Sequence, residues 1–386
     1  MDIRVFTEML KDRHFTDYQK MKYKYGEDFH AFLQTLEELY YTPLPLTDFD
    51  GNNIVFIDNH ATLSQSAVKL LLQSQDQHYG MKAAEDEIVA TSAIENIDFS
   101  RDSVRRILKG MAPNDEQESR ISGIKHGLEF IADPANKIME ENLYKLYMMT
   151  VGDFLTGDDQ LSDGNYYRHD TVYVVSDRIE HVGLDCKKVP DFMKSLISFV
   201  HAQDGMNDLL KASIIHFYIA FVHPYFDGNG RMARLVHLWF LIQKGYQSAL
   251  FIPFSSQIEK SRKAYYDAYT TIEKNKKYSG KTDITPFLLY FIDNVYNKMN
   301  EGSVAIETLT VYDHAVKNGK ITEKETKLWK FVLSFYGTEE FSTKQLEKDF
   351  GDAAYATIRG FVLKFEDLGL LSSVKYGPRV KYKIIK

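Results

Sequence analysis

One run of twelve residues concentrates most of the reactive chemistry of this sequence: His223-Pro224-Tyr225-Phe226-Asp227-Gly228-Asn229-Gly230-Arg231-Met232-Ala233-Arg234. His223 is the one group in it whose ordinary pKa suits proton abstraction near neutrality. Asp227 offers the hard oxygen that a divalent cation bridging phosphates would take. Arg231 and Arg234 stand three apart at the expected start of a helix, so they share a face, and their planar forks match phosphate oxygens. Gly228 and Gly230 let the backbone turn sharply and approach a ligand closely. Each feature alone would fit a plain turn between helices. Together they assemble a base, a metal ligand, an anion nest and two phosphate-binding cations.

The elements that must hold this run are helices. An apolar stretch, 209–222, ends at a histidine followed by proline, which stops helix propagation. Residues 232–242 are apolar at helical spacing, so a second helix starts directly after the bend and points its N-terminal N–H groups into it, forming an anion site. Helical spacing recurs at 67–75, 122–133, 142–149 and 194–200. Two strand-like pieces stand apart. One is 53–58, after the Asp50-Gly51 turn. The other is 171–176 with 179–182 around Asp177-Arg178, which predicts a hairpin. The polar, Lys-rich segment 273–282 predicts an exposed loop.

The C-terminal part reads as a separate unit. Helical patterns at 303–320, 323–336 (with Thr322 as N-cap), 344–350 and 353–368 precede two short strands, 370–375 and 380–385. Helices followed by a hairpin predict a winged helix-turn-helix. Its last residues carry Lys375, Arg379, Lys381, Lys383 and Lys386, a set that suits DNA phosphates. Seven acids, among them Glu339, Glu340 and Glu366, dilute the rest of the unit, so DNA binding and protein contact stand level as readings. The expected division is 1–110 as an N-terminal helical region, 111–300 as a catalytic core and 301–386 as the winged helix-turn-helix.

Composition bounds the alternatives. In 386 residues, 44% hydrophobic and 26% charged, the balance is that of a globular protein. Lys and Arg number 47 against 54 Asp and Glu, a net charge of -7, which excludes wholesale coating of nucleic acid. A lone cysteine, Cys186, excludes an intramolecular disulfide and a multi-cysteine metal site, and reads as a small buried apolar residue. No apolar run reaches the ~20 residues that span a bilayer, and the N-terminus has no secretory h-region, so a cytoplasmic protein with no membrane partner is expected. Three look-alikes are set aside. Gly280-Lys281-Thr282 has Asn275 where a phosphate loop needs glycine, Asp158, Asp159 and Asp163 lack calcium-loop spacing, and His216, His223 and His237 form no zinc pair.

The 223–234 run resembles the Fic family motif, His-Pro-Phe-x-Asp/Glu-Gly-Asn-Gly-Arg-x-x-Arg, at all positions but one, with Tyr225 in place of Phe. The resemblance implies a mainly α fold, a Fic-type helical core with a β-hairpin flap, that transfers AMP from ATP to a protein hydroxyl. By that likeness His223 deprotonates the target hydroxyl and Asp227 holds Mg²⁺. Asn229 and the backbone of Gly228 and Gly230 take the α- and β-phosphates, Arg231 neutralises the pyrophosphate side, and Arg234 faces the γ-phosphate. In the related Doc kinases lysine replaces the second glycine and phosphate is transferred, so Gly230 favours AMP transfer. The flap would be 171–182, lining up its target by β-augmentation. Gly164-Asn165-Tyr166-Tyr167-Arg168 resembles the family's approach to the flap.

A second likeness lies upstream. Ile88, Thr91 and Ile94 follow helical spacing, which puts Thr91 and Glu95 one turn apart on one face. With Asn96 they resemble the Fic inhibitory motif, Ser/Thr-x-x-x-Glu-Gly/Asn, on a helix over about 84–96. The implied role of Glu95 is to occupy Arg234, because an arginine committed to a carboxylate cannot also bind phosphate. The partners implied are ATP, a target protein with a Ser, Thr or Tyr hydroxyl (the chain itself included), and a second copy in a homodimer. Two other readings use the same residues: a hydrolase removing AMP, with Glu95 positioning water, and a nucleotide-sensing DNA-binding regulator.

Overall fold

A computed structural model of the chain describes residues 1–58, 81–176, 179–246, 249, 254–298, 306–337 and 339–385. The helix expected at 67–75, the hairpin tip at Asp177 and Arg178, and Lys386 lie outside the described residues. The chain is mainly α-helical. Helices α1 (Ile3–Leu10), α2 (Tyr18–Tyr25) and α3 (Asp28–Leu39) lead into an antiparallel ribbon, β1 (Tyr41–Thr47) with β2 (Asn53–Ile57). Then come α4 (Met81–Ile94), α5 (Arg101–Leu108), α6 (Glu116–Ala132) and α7 (Glu140–Thr150), followed by the antiparallel hairpin β3 (Tyr173–Ser176) and β4 (Ile179–Val182). Next are α8 (Val189–His201), α9 (Asp208–Val222), α10 (Asn229–Gln243), α11 (Phe254–Lys260), α12 (Arg262–Ser279) and α13 (Thr285–Tyr290). The chain closes with α14 (Ile306–Lys317), α15 (Glu323–Phe335), α16 (Thr343–Phe350), α17 (Tyr355–Asp367) and the antiparallel hairpin β5 (Leu371–Tyr376) and β6 (Arg379–Ile384).

The pair that matters for the site is α9 and α10. Both are apolar nearly all round and almost wholly buried, as a helix at the centre of a domain must be. Asn207 starts α9 by accepting from the N–H groups of Leu209 and Leu210. One hydrophobic core runs from Leu44 and Ile54 of the ribbon through Ile88, Val104, Ile214 and Trp239 to Phe291. The first three helices close a smaller cluster around Met9, Phe32 and Leu36. A further cluster joins Leu328, Trp329, Phe341, Ile358, Phe365 and Leu371, all C-terminal to α14, and its α15 and α16 begin with capping boxes at Thr322 and Ser342. Met81 of α4 packs on this cluster, and Lys82 pairs with Glu339 at 3.0 Å.

Three differences from the sequence reading have physical reasons. Segment 273–282 is not an exposed loop: α12 runs to Ser279. Its Tyr265, Ala268, Ile272 and Asn275 face inward at helical spacing, and Asn275 bonds the backbone of Thr16 and Tyr18. Helix α10 starts at Asn229 rather than 232, because Gly228 sits in the left-handed region as its N-cap and brings the next residues into the first turn. Strand β1 is not among the expected strands; it carries Pro43 and Pro45, and a two-stranded ribbon has open edges where proline is tolerated.

The look-alikes are structural. Thr282 donates to Asp48 at 2.8 Å and Lys281 pairs with Glu37 at 2.7 Å. His216 and His237 lie in the main core against the hydroxyls of Tyr265 and Tyr296. Among the described residues no group of metal-ligating side chains is assembled, and no helix is long and apolar enough to cross a membrane.

Candidate active site

The bend between α9 and α10 carries the site. His223 is the C-cap of α9 in the left-handed conformation (φ 55°), its N–H donating to Ile219 O at 3.0 Å. A non-glycine residue there is strained, and such outliers gather where the fold over-determines a position. The strain turns the imidazole out of the helix while its carbonyl stays bonded. Nδ1 lies 3.3 Å from Ala220 O, and since a carbonyl only accepts, Nδ1 carries the proton and Nε2 presents a lone pair. Burial is the main cause holding the His223 pKa below its ordinary value, with the Arg168 charge acting the same way and the Ala220 hydrogen bond opposing. The ring is therefore neutral at neutral pH.

The loop after it is closed by Asn229. Its Oδ1 accepts from Tyr225 N at 2.9 Å and its Nδ2 donates to Tyr225 O at 2.8 Å. This side chain is fully engaged in shaping the bend, and what it offers a ligand is its backbone N–H. The Tyr225 ring stacks on Tyr147 with centroids 3.8 Å apart and planes within 5°, so the aromatic position is filled. Gly228 (φ +76°) faces Val151, whose Cγ2 would lie 2.5 Å from any Cβ placed there. Gly228→Ala should therefore destabilise the chain by about 2–4 kcal/mol, from left-handed strain plus overpacking. Denaturant unfolding of the two proteins checks this, and a difference under ~0.5 kcal/mol would contradict the tight fit.

The cations line the first turns of α10. Arg231 is buried, and its Nη2 donates to Asp227 Oδ2 at 3.0 Å, while the Asp227 side chain is 56% exposed at the rim. Arg234 is 1% exposed and reaches α4. Its Nε donates to Thr91 Oγ1 at 2.8 Å, and its Nη2 to Thr91 O at 3.1 Å and Glu95 Oε1 at 2.7 Å. Burial opposes both charges of this pair, and each outweighs it for the other. The Glu95 carboxyl is held below its usual range and Arg234 is pushed further up. Two guanidinium nitrogens, Arg231 Nε and Arg234 Nη1, are buried with no hydrogen-bond partner. Orphaned buried donors at a helix N-terminus are a ready place for anionic oxygens. Gly230 lets the Glu95 carboxylate sit against the helix start, since a Cβ there would collide with Glu95 Oε1.

Thr91, Glu95 and Asn96 are thus brought together on Arg234 and at the end of α4. Asn96 adopts φ 58°, which explains why Gly or Asn suits that place, both being at ease in the left-handed region. Two supports had no signature in the sequence. Arg262, far along the chain, donates to Asn96 Oδ1 at 2.9 Å and to Ala93 O at 3.3 Å, fastening the end of α4. Ser255 at the start of α11 donates its N–H at 2.7 Å and its hydroxyl to the fully buried Glu87 carboxyl of α4, whose pKa burial raises. Only their spatial neighbours mark these residues. In the C-terminal hairpin Lys375 and Arg379 are exposed, while Lys381 lies 3.9 Å from Glu340.

Comparison with known proteins finds partial likenesses. A family model described as Fic/DOC family matches residues 137–241. A probable protein adenylyltransferase of Aquifex aeolicus is 24% identical over 142 residues, 36% of this chain and 43% of that protein. Protein adenylyltransferase Fic of Drosophila ananassae is 25% identical over 169 residues, 42% of this chain and 31% of that protein. The chain spans less than half the length of these curated relatives. Among solved structures, a Fic family protein from Desulfovibrio desulfuricans is similar with a TM-score of 0.48 and 17% identity, covering 79% of this chain and 87% of that one.

Proposed function

We propose that this chain, whose residues 137–241 match a family model described as Fic/DOC family, is an autoinhibited protein adenylyltransferase moving AMP from ATP to a side-chain hydroxyl of a protein. The observation that carries the reading is the pair of orphaned guanidinium nitrogens beside the α10 N-terminus, one bend away from a histidine with its Nε2 free. In the reaction the hydroxyl oxygen attacks the α-phosphorus, the bond to the bridging α–β oxygen breaks, and pyrophosphate leaves. The hydroxyl proton passes to His223 Nε2. The N–H groups of the first α10 turn hold the phosphate oxygens, with Arg231 on the pyrophosphate side and Arg234, once released, on the γ-phosphate. Asp227 is an exposed carboxylate at the rim and suits Mg²⁺, which takes few protein ligands and leans on substrate phosphates. Bound there, Mg²⁺ would neutralise developing charge on the leaving group. Positioning and charge neutralisation supply most of the rate in such transfers.

In the resting state Glu95 holds the Arg234 fork, so the γ-phosphate lacks its partner. The hairpin β3–β4 presents an edge for a target strand, and the C-terminal helices with β5–β6 form a winged-helix unit. The test of the reaction class uses purified chain with ATP labelled on either the α- or the γ-phosphate. Incorporation from the α-labelled nucleotide alone is expected; incorporation from the γ-label alone would make this a kinase and discard the reading.

The neutral imidazole is the working form. Since burial lowers its pKa, transfer should be flat around and above neutrality and fall as pH drops through a midpoint below the ordinary histidine value. A rate–pH profile measures this, and a midpoint above neutrality would contradict the assignment. A second reading, hydrolytic removal of AMP, is favoured by the Glu95 carboxylate, which Arg234 keeps ionised and which is 27% exposed, able to orient water. Loss of label from an AMP-modified protein incubated with the chain would reveal it.

A further inference from the structure

Arg168 lies between the bend and the flap and is 2% exposed. Its guanidinium reaches three backbone carbonyls. Nε donates to His223 O at 2.8 Å, Nη1 to Asp170 O at 2.7 Å, and Nη2 to Leu184 O. Its own N–H donates to Pro224 O at 3.0 Å. Asp170 immediately precedes the flap and Leu184 lies two residues beyond it, so one side chain holds backbone at both ends of the hairpin and the carbonyl of His223. Gly183 completes the arrangement: its N–H donates to Val172 O at 2.9 Å, and a Cβ there would meet Val172 Cγ2 at 2.7 Å.

Among the described residues no carboxylate is in contact with Arg168, and the charges of Asp185 and Asp170 act on it only from farther off. A buried guanidinium with no carboxylate in contact is a costly arrangement, and carbonyl dipoles offset only part of the lost hydration. Burial accordingly pulls its pKa down. For stability alone an apolar side chain of similar volume would serve as well. What it would not supply is a planar fork of fixed geometry bonding three strands of backbone at once.

We infer that Arg168 is a positioning residue that locks both ends of the flap to the His223 carbonyl, so that a hydroxyl aligned on the flap edge arrives in register with the base. This rests on the adenylyltransferase reading above. Arg168 touches no reacting atom. It fixes the distance between the element that aligns the target and the one that removes its proton, and a displacement near 1 Å between such groups costs ~10²-fold in rate.

The test compares Arg168→Gln and Arg168→Lys, each made in the chain carrying Glu95→Gly, with that parent and with His223→Ala in the same background. Self-labelling from α-labelled ATP gives the rate, calorimetric titration with Mg²⁺ and ATP gives Kd, and amide hydrogen exchange of 170–184 reports the flap. Both Arg168 variants are expected to label ~10²-fold more slowly with Kd unchanged, and the flap amides to exchange faster. Lysine should not rescue, since one ammonium cannot reach three carbonyls. Parent-like labelling in Arg168→Gln, rescue by lysine, or unchanged flap exchange overturns the inference. If His223→Ala is dead while Arg168→Gln labels at the parent rate, the inference falls and the reaction stands. If the parent itself does not label, the reaction fails and the inference falls with it.

Discussion

Replacing His223 by alanine is expected to abolish AMP transfer while leaving nucleotide affinity nearly unchanged. The imidazole is a neutral base at the bend, and the Ala220 carbonyl holds its proton on Nδ1, which leaves Nε2 to accept. A positioned general base contributes ~10²–10⁴-fold. The phosphates are held by other groups, namely the α10 N–H groups and the two arginines, so the loss should appear in the rate and not in Kd. Alanine also relieves little strain, because the left-handed φ at 223 is imposed by the helix end and by Arg168 and not by the ring. Labelling from α-labelled ATP, with titration of Mg²⁺ and ATP in parallel, checks both parts. Wild-type labelling would put the base elsewhere, and lost affinity would make His223 a ligand of the nucleotide.

The opposite change is expected from Glu95→Gly, a gain in transfer. Arg234 is held in the resting chain by Thr91 Oγ1, Thr91 O and Glu95 Oε1, and of these only Glu95 is charged. Removing the carboxylate takes the charged partner from Nη2 and clears the space over Gly230, while Thr91 Oγ1 and Thr91 O keep the guanidinium oriented. Couplings of this kind between a regulatory contact and a binding site typically amount to 5–150-fold, and the rise in labelling should fall in that range. Glycine just past the last helical residue of α4 costs little, since α4 stays fastened by Arg262 and Ser255. Equal, measurable labelling with and without the carboxylate would remove the brake from the account.

The candidate bend and the reach of Thr91 and Glu95 to Arg234 were legible in the sequence because their chemistry is contiguous. A base, a carboxylate, two glycines and two arginines within one run leave few structural alternatives, and Thr91 with Glu95 shows its shared face by spacing alone. Asn96 was legible as a motif position, and the structure adds the reason in its positive φ. What was not legible is contact across long separations. Arg262 on Asn96, Ser255 on Glu87 and Arg168 on His223 are 166, 168 and 55 residues apart in sequence. No periodicity encodes such pairs, and only the packed fold brings them together. The Lys-rich end of α12 misled because its surface residues are polar, while the inward Asn275 is a polar residue too, satisfied by backbone of the N-terminal segment.

Helix α4 has Met81 against the C-terminal cluster and Glu95 just beyond its last turn, on Arg234. Fourteen helical residues at 1.5 Å each make a strut about 20 Å long, stiff on the scale of side-chain motion. A slip of one ångström where Lys82 meets Glu339 would be delivered almost undiminished to contacts of 2.7–2.8 Å at the far end, which have no such play. Under the proposed brake, restraint of Arg234 would therefore depend on how the C-terminal cluster is seated on the main core, with the Glu95 carboxylate as the tip of a longer mechanical linkage.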